Sequence, residues 1–118
     1  MLKIVLKNDN NIDVAKIIQE KIAKQFSDEG KSFFKVFQEE SKQICVFICE
    51  DYSFSTNSRL TISIISEASV DKTIVNILVS GGKIGLIFET SYGSEKRRAK
   101  QITNEFKEFG FVEIENDN

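Results

Sequence analysis

Q-I-C-V-F-I-C-E (43–50), R-L-T-I-S-I-I-S (59–66), K-T-I-V-N-I-L-V (72–79) and K-I-G-L-I-F-E-T (83–90) decide the fold. Each run is rich in β-branched residues, and turn-forming residues separate each from the next, which is the pattern of successive strands. Ser80-Gly81-Gly82-Lys83 is a hairpin signal, because glycine tolerates the positive φ that tight turns need. Gly85 inside the last run predicts a bulge or a close neighbour. Connections this short leave no room for parallel crossovers, so the strands form an antiparallel meander.

Outward from this meander the pattern changes period. Residues 2–7 alternate as a short strand, and Asn8-Asp9-Asn10-Asn11 is a turn cluster. Asn10 or Asn11 is expected to cap a helix over 12–27, with Asp13 in its positive first turn. Ala15, Ile18, Ile22 and Phe26 recur at steps of three and four, with Val14 and Ile17 alongside, and Gly30 ends the segment. Residues 32–39 make a Phe-dense strand. Near the C-terminus, Ser94 caps a second helix with the stripe Ala99, Ile102, Phe106 and Phe109. Gly110 is placed to stop it and Phe111 to fold back on its last turn, as in a Schellman ending. Residues 111–114 add a short strand or an arm.

The 118 residues fit one domain, 1–118, long enough to bury a core without metal or disulfide staples. The expected class is α+β: a curved antiparallel sheet of about five to six strands with two helices on one face, in the order β-α-β-β-β-β-β-α with a short tail. A net charge of −2 argues against a dedicated nucleic-acid binder and gives no pull toward an anionic membrane. No run approaches the roughly 18 apolar residues of a membrane span. Cys45 and Cys49, four residues apart on one strand, stand about 13 Å from each other and cannot pair. Free thiols fit a reducing cytoplasm, where the chain is placed.

Alternate strand residues face opposite ways. Phe34, Val36, Ile44, Val46, Ile48, Leu60, Ile62, Ile64, Val75, Ile77, Val79, Ile84, Leu86 and Phe88 compose an aliphatic face for the helices. The reverse face then carries Phe33, Lys35, Phe37, Cys45, Phe47, Cys49, Thr61, Ser63, Ile65, Ile74, Asn76, Leu78, Ile87 and Glu89. It is greasier than a solvated face should be, and two helices cover only one side of such a sheet. Phe33, Lys35, Phe37, Phe47, Thr61, Ser63, Ile65, Asn76 and Leu78 are the candidate ligand or dimer face. Three readings stay open: strand curvature and register exaggerate the patch, a second copy covers it, or it lines a ligand site.

The chemistry is spare. With no histidine, Ser-His-Asp and Cys-His nucleophile systems and imidazole metal sites are excluded. Two cysteines do not make a structural zinc site, which wants four ligands. Glu39-Glu40 and Glu50-Asp51 are adjacent pairs that point to opposite faces. Ser80-Gly81-Gly82-Lys83 lacks the spacing of a phosphate loop. Lys96, Arg97, Arg98 and Lys100 form the one basic cluster, in early turns of a helix where the dipole disfavours cations. They are the candidate patch for an anionic partner. The element order resembles the TATA-binding-protein-like and helix-grip layouts, whose open sheet face often holds a ligand, nucleic acid or a second subunit. That likeness is topological and no motif carries it. The Lys-, Asn- and Ile-rich composition is similar to that of small proteins of low-GC Gram-positive bacteria. The expectation is a non-enzymatic, homodimerising interaction module of the cytoplasm, without cofactor or metal. Its alternatives are an unknown protein partner, or a small apolar ligand held between sheet and helices.

Overall fold

The alternation in 59–66 and 72–79 becomes two long neighbouring strands at the centre of one sheet. The computed structural model describes residues 1–26, 32–53, 58–81 and 88–117. Six strands, β1 (Leu2–Asn8), β2 (Ser32–Glu39), β3 (Lys42–Ser53), β4 (Ser58–Ser69), β5 (Lys72–Gly81) and β6 (Val112–Asp117), pair antiparallel in the order β2-β3-β4-β5-β1-β6. Between β1 and β2, α1 (Val14–Ile17) runs into a π turn (Ile18–Ile22) and a 3-10 turn (Ala23–Gln25). Helix α2 (Phe88–Lys107) precedes β6 and lies across β5, β1 and β4. This is the α+β class and antiparallel sheet that the patterning predicts.

One cluster forms the core. Leu2, Ile4 and Leu6 stand opposite Val79, Ile77 and Val75, and Ile62 and Ile64 opposite Val79 and Ile77, so all share one face. Val14, Ile17, Ile18, Ile22 and Phe26 from the first helical segment and Ala99, Ile102 and Phe106 from α2 cover it. Burying each large side chain contributes about 1.5–3 kcal/mol before entropy. The buried positions Ile18, Ile22 and Phe26 come at steps of four, which overshoot an α-turn of 3.6 residues. Widening to a π turn over Ile18–Ile22 brings Ile22 back toward the core.

Several local expectations change. Asp13, not Asn10 or Asn11, caps α1: its side chain accepts from the Lys16 amide at 3.4 Å. The asparagines secure the preceding loop instead. The Asn11 side chain donates to the Ser69 carbonyl, Asn8 Oδ1 accepts from the Asn10 amide, and buried Thr73 accepts from Ile12 N–H while donating to the Asn10 carbonyl. Residues 83–87 of the predicted strand lie outside those described, as do Gly30 and half of the Ser80–Lys83 turn. Phe88, Glu89 and Thr90 begin α2, so Ser94 lies inside it rather than at its start. The tail forms β6 along β1.

The largest correction concerns β3. Cys45, Phe47 and Cys49 stand opposite Ser66, Ile64 and Ile62 and belong to the core. Ile44, Val46 and Ile48 therefore point the other way, the reverse of the expected assignment. Six unbroken apolar residues, 44–49, contain no period-two signal, and a one-residue change of parity flips every side chain. Pairing with β4 and the demands of the helical layer set the parity.

Candidate functional site

Register builds the reverse face row by row. Phe33, Ile48, Ser63, Leu78 and Lys3 cross the sheet in one row. Lys35, Val46, Ile65, Asn76 and Val5 form the next, and Phe37, Ile44, Glu67, Ile74 and Lys7 the third. Of the residues assigned to this face by sequence, Phe33, Lys35, Phe37, Thr61, Ser63, Ile65, Asn76 and Leu78 lie on it. Phe47 does not: it is 4% exposed and meets Phe34 edge-on with ring centres 6.3 Å apart. Ile44, Val46 and Ile48 take the place of Cys45, Phe47 and Cys49, so the face keeps its apolar character with different residues. Both parities of β3 end in polar side chains, and no signal within the strand distinguished them.

The apolar part concentrates toward the β2 end. Phe33 is 51% exposed, Phe37 45%, Ile65 37% and Ile48 36%, values that core side chains never show. They adjoin through the half-buried Val46 and Ile44. The charges among them are matched within the chain. Lys42 Nζ lies 2.8 Å from Glu67, which raises the lysine's pKa and lowers the glutamate's through their hydrogen bond. Arg59 lies 3.6 Å from Glu50, Lys3 lies 3.4 Å from Glu115, and Lys35 sits 5.1 Å from the Phe37 ring centre. Asn76 donates to the Ile65 carbonyl at 3.4 Å. The face is thus oily, with locally compensated charge. It has apolar area for a partner but no single-sign field to select a strongly charged one.

The basic cluster is divided by the fold. Arg98 turns inward: its Nε donates to Asp51, which is 4% exposed, and its guanidinium lies 5.8 Å from the Phe26 ring centre. Sequence reasoning placed it in an anionic-partner patch; the structure makes it a clamp between α2, β3 and the end of the first helical segment. The buried acid explains the exception, since a carboxylate out of water needs a paired donor. Lys96, Arg97 and Lys100 are exposed on α2. The two thiols are buried, and burial pushes Cys45 up to about 11 and Cys49 up to about 12, with Asp13 and Asp51 adding to it. Such thiols are poor nucleophiles at neutral pH. Among the described residues, no three Cys, Asp or Glu side chains gather to hold a metal ion, and no helix is long and apolar enough to cross a membrane.

Residues 4–110 match the family of unknown function DUF6054, and the chain belongs to that family. No curated protein and no solved structure matches it. Nothing in these comparisons supports the TATA-binding-protein-like or helix-grip resemblance.

Proposed function

We propose that this DUF6054 chain is a non-catalytic interaction module of the cytoplasm that pairs with a second copy of itself through the reverse face of its sheet. One observation carries the reading. Phe33, Phe37, Ile48 and Ile65 form a continuous apolar patch on the side away from the helices. Five strand spacings of about 4.8 Å and ten residues at about 3.3 Å give that side on the order of 800 Å². One side of a standard protein–protein interface is of that size. The compensated charges favour a copy over a strongly acidic or basic partner, because two identical near-neutral faces meet without repulsion. An apolar ligand between sheet and helices has less support: Ile18, Ile22, Ile62, Ile77, Ile102 and Phe106, each under 2% exposed, fill that space.

The test is light scattering on the chromatographed protein across a wide concentration range. The parent is expected at twice the 13.4 kDa of one chain. Ile65→Lys, in the middle row of the face where the patch reaches β4, is expected to run at one chain's mass with its melting temperature little changed. A parent that stays monomeric at the highest concentration overturns the reading.

A further inference from the structure

At the opposite side of the sheet, where α2 passes over β1 toward β6, a groove of about 270 Å³ opens. Its floor is apolar: Leu2, Ile4 and Ala99 line it, each nearly closed to solvent. Lys96, Lys100 and Lys107 follow one another along α2 at steps of four and seven, which puts them on one side of the helix and above that floor. The far wall is β6. Glu113 there lies 3.3 Å from Lys107 and accepts from the Asn116 side chain at 3.4 Å, so the Lys107 end is neutralised within the chain. With Lys107 paired to Glu113, Lys100 brings positive charge to the middle of the groove.

Thr103 stands on the same face of α2, between Lys100 and Lys107, and lines the groove. It is 2% exposed and its hydroxyl has no hydrogen-bond partner. Buried hydroxyls ordinarily have one. A threonine in a helix has two accessible χ1 rotamers, and passing from one to the other swings its hydroxyl to the neighbouring staggered position. An acceptor in the groove would give that hydroxyl its missing partner.

We propose that this groove binds a small organic anion. Its carboxylate or phosphate oxygens are held by Lys100 and the Thr103 hydroxyl, and its short apolar part lies on Leu2, Ile4 and Ala99. The volume falls just under the range of sites for drug-sized ligands, which fits a smaller molecule. The site is independent of the reverse face, so the Ile65→Lys chain is expected to bind as the parent does.

The experiment titrates hexanoate, inorganic phosphate and hexanol separately into the ¹⁵N-labelled full chain at constant ionic strength. Saturable shifts of the Ile4, Ala99, Lys100 and Thr103 amides are expected with an anion and not with hexanol. Tighter binding of hexanoate identifies a carboxylate with an apolar tail; tighter binding of phosphate identifies the phosphate headgroup. Lys100→Glu is expected to weaken binding about tenfold, the loss of one charge-assisted contact. Thr103→Val keeps the shape and removes an unpaired hydroxyl, so it is expected to melt no lower than the parent while binding several-fold more weakly. The proposal is overturned if neither anion saturates, if hexanol moves the same amides equally, or if either variant binds as the parent does.

Discussion

Arg98 and Asp51 show how a single pair can join three elements. The acid sits on β3 and the base on α2, and the base covers Phe26 at the end of the first helical segment. Arg98→Ala leaves a carboxylate in the interior without its counterion, and an expected loss of about 3 kcal/mol follows from that. Urea unfolding measures it. The double change Asp51→Leu with Arg98→Met, which removes both charges, is expected to recover most of the loss. Gly110 is a second such point. Its φ is +92°, and an added Cβ would come within 3.2 Å of Asn8 Nδ2. Gly110→Ala is expected to cost about 1–2 kcal/mol, the ordinary penalty of the left-handed conformation. The thiols add a pH dependence. Their folded pKa values, about 11 and about 12, lie above the ordinary 9.0. Below pH 9 both states keep the proton, and the contribution is intact. As pH rises from about 9 toward the folded values, the unfolded chain ionises first and stability falls. Urea midpoints measured upward from neutral pH are expected to drop more steeply for the parent than for the Cys45→Ala, Cys49→Ala double variant.

Among the elements, β3 and the end of α2 make an instructive pair. The end of α2 is legible residue by residue. Gly110 donates to the Lys107 carbonyl at 3.0 Å, Phe111 donates to the Phe106 carbonyl at 3.4 Å, and the Phe106 and Phe111 rings meet edge-on at 5.4 Å. Those are the two hydrogen bonds and the apolar contact of a Schellman ending, all local in sequence. Strand β3 is the contrary case. That 44–49 forms a strand is legible, but which of its residues face the helices is not, because both parities are apolar. The register predicts an asymmetry that unfolding can read. Phe47→Ala is expected to cost about 3–5 kcal/mol, as for a buried aromatic, whereas neighbouring Ile48→Ala, on the exposed side, costs far less. Equal losses would contradict the register.

The whole molecule is two layers, 47 × 28 × 20 Å in extent, its thinnest dimension matching one sheet and one layer of helices. One side of the sheet carries α1 and α2, and among the described residues no element packs on the other. β2 and β6 form the two edges. Each has one strand neighbour, and β2 shows exposed residues at nearly every position. Amide hydrogen exchange is therefore expected to be slowest in β4, β5 and the middle of β3, and fastest in β2 and β6. Slowing of β2 and β3 with rising protein concentration would report the proposed pairing directly. Fast exchange in β5 would contradict the layer assignment.

By itself the sequence determined whatever depends on short-range chemistry. The strand and helix periods, the antiparallel class, the stop at Gly110 and the folding back of Phe111 all follow from residues within a few positions of one another. The tertiary structure decided what depends on which strand lies beside which. By placing β1 between β5 and the C-terminal tail, it made β2 and β6 the outer strands of the sheet. By pairing β3 with β4, it sent Phe47 inward and Ile44, Val46 and Ile48 outward. By burying Asp51, it drew Arg98 away from its basic neighbours. Each of these choices is made by side chains distant in sequence competing for one interior, and no local pattern encodes the outcome of that competition.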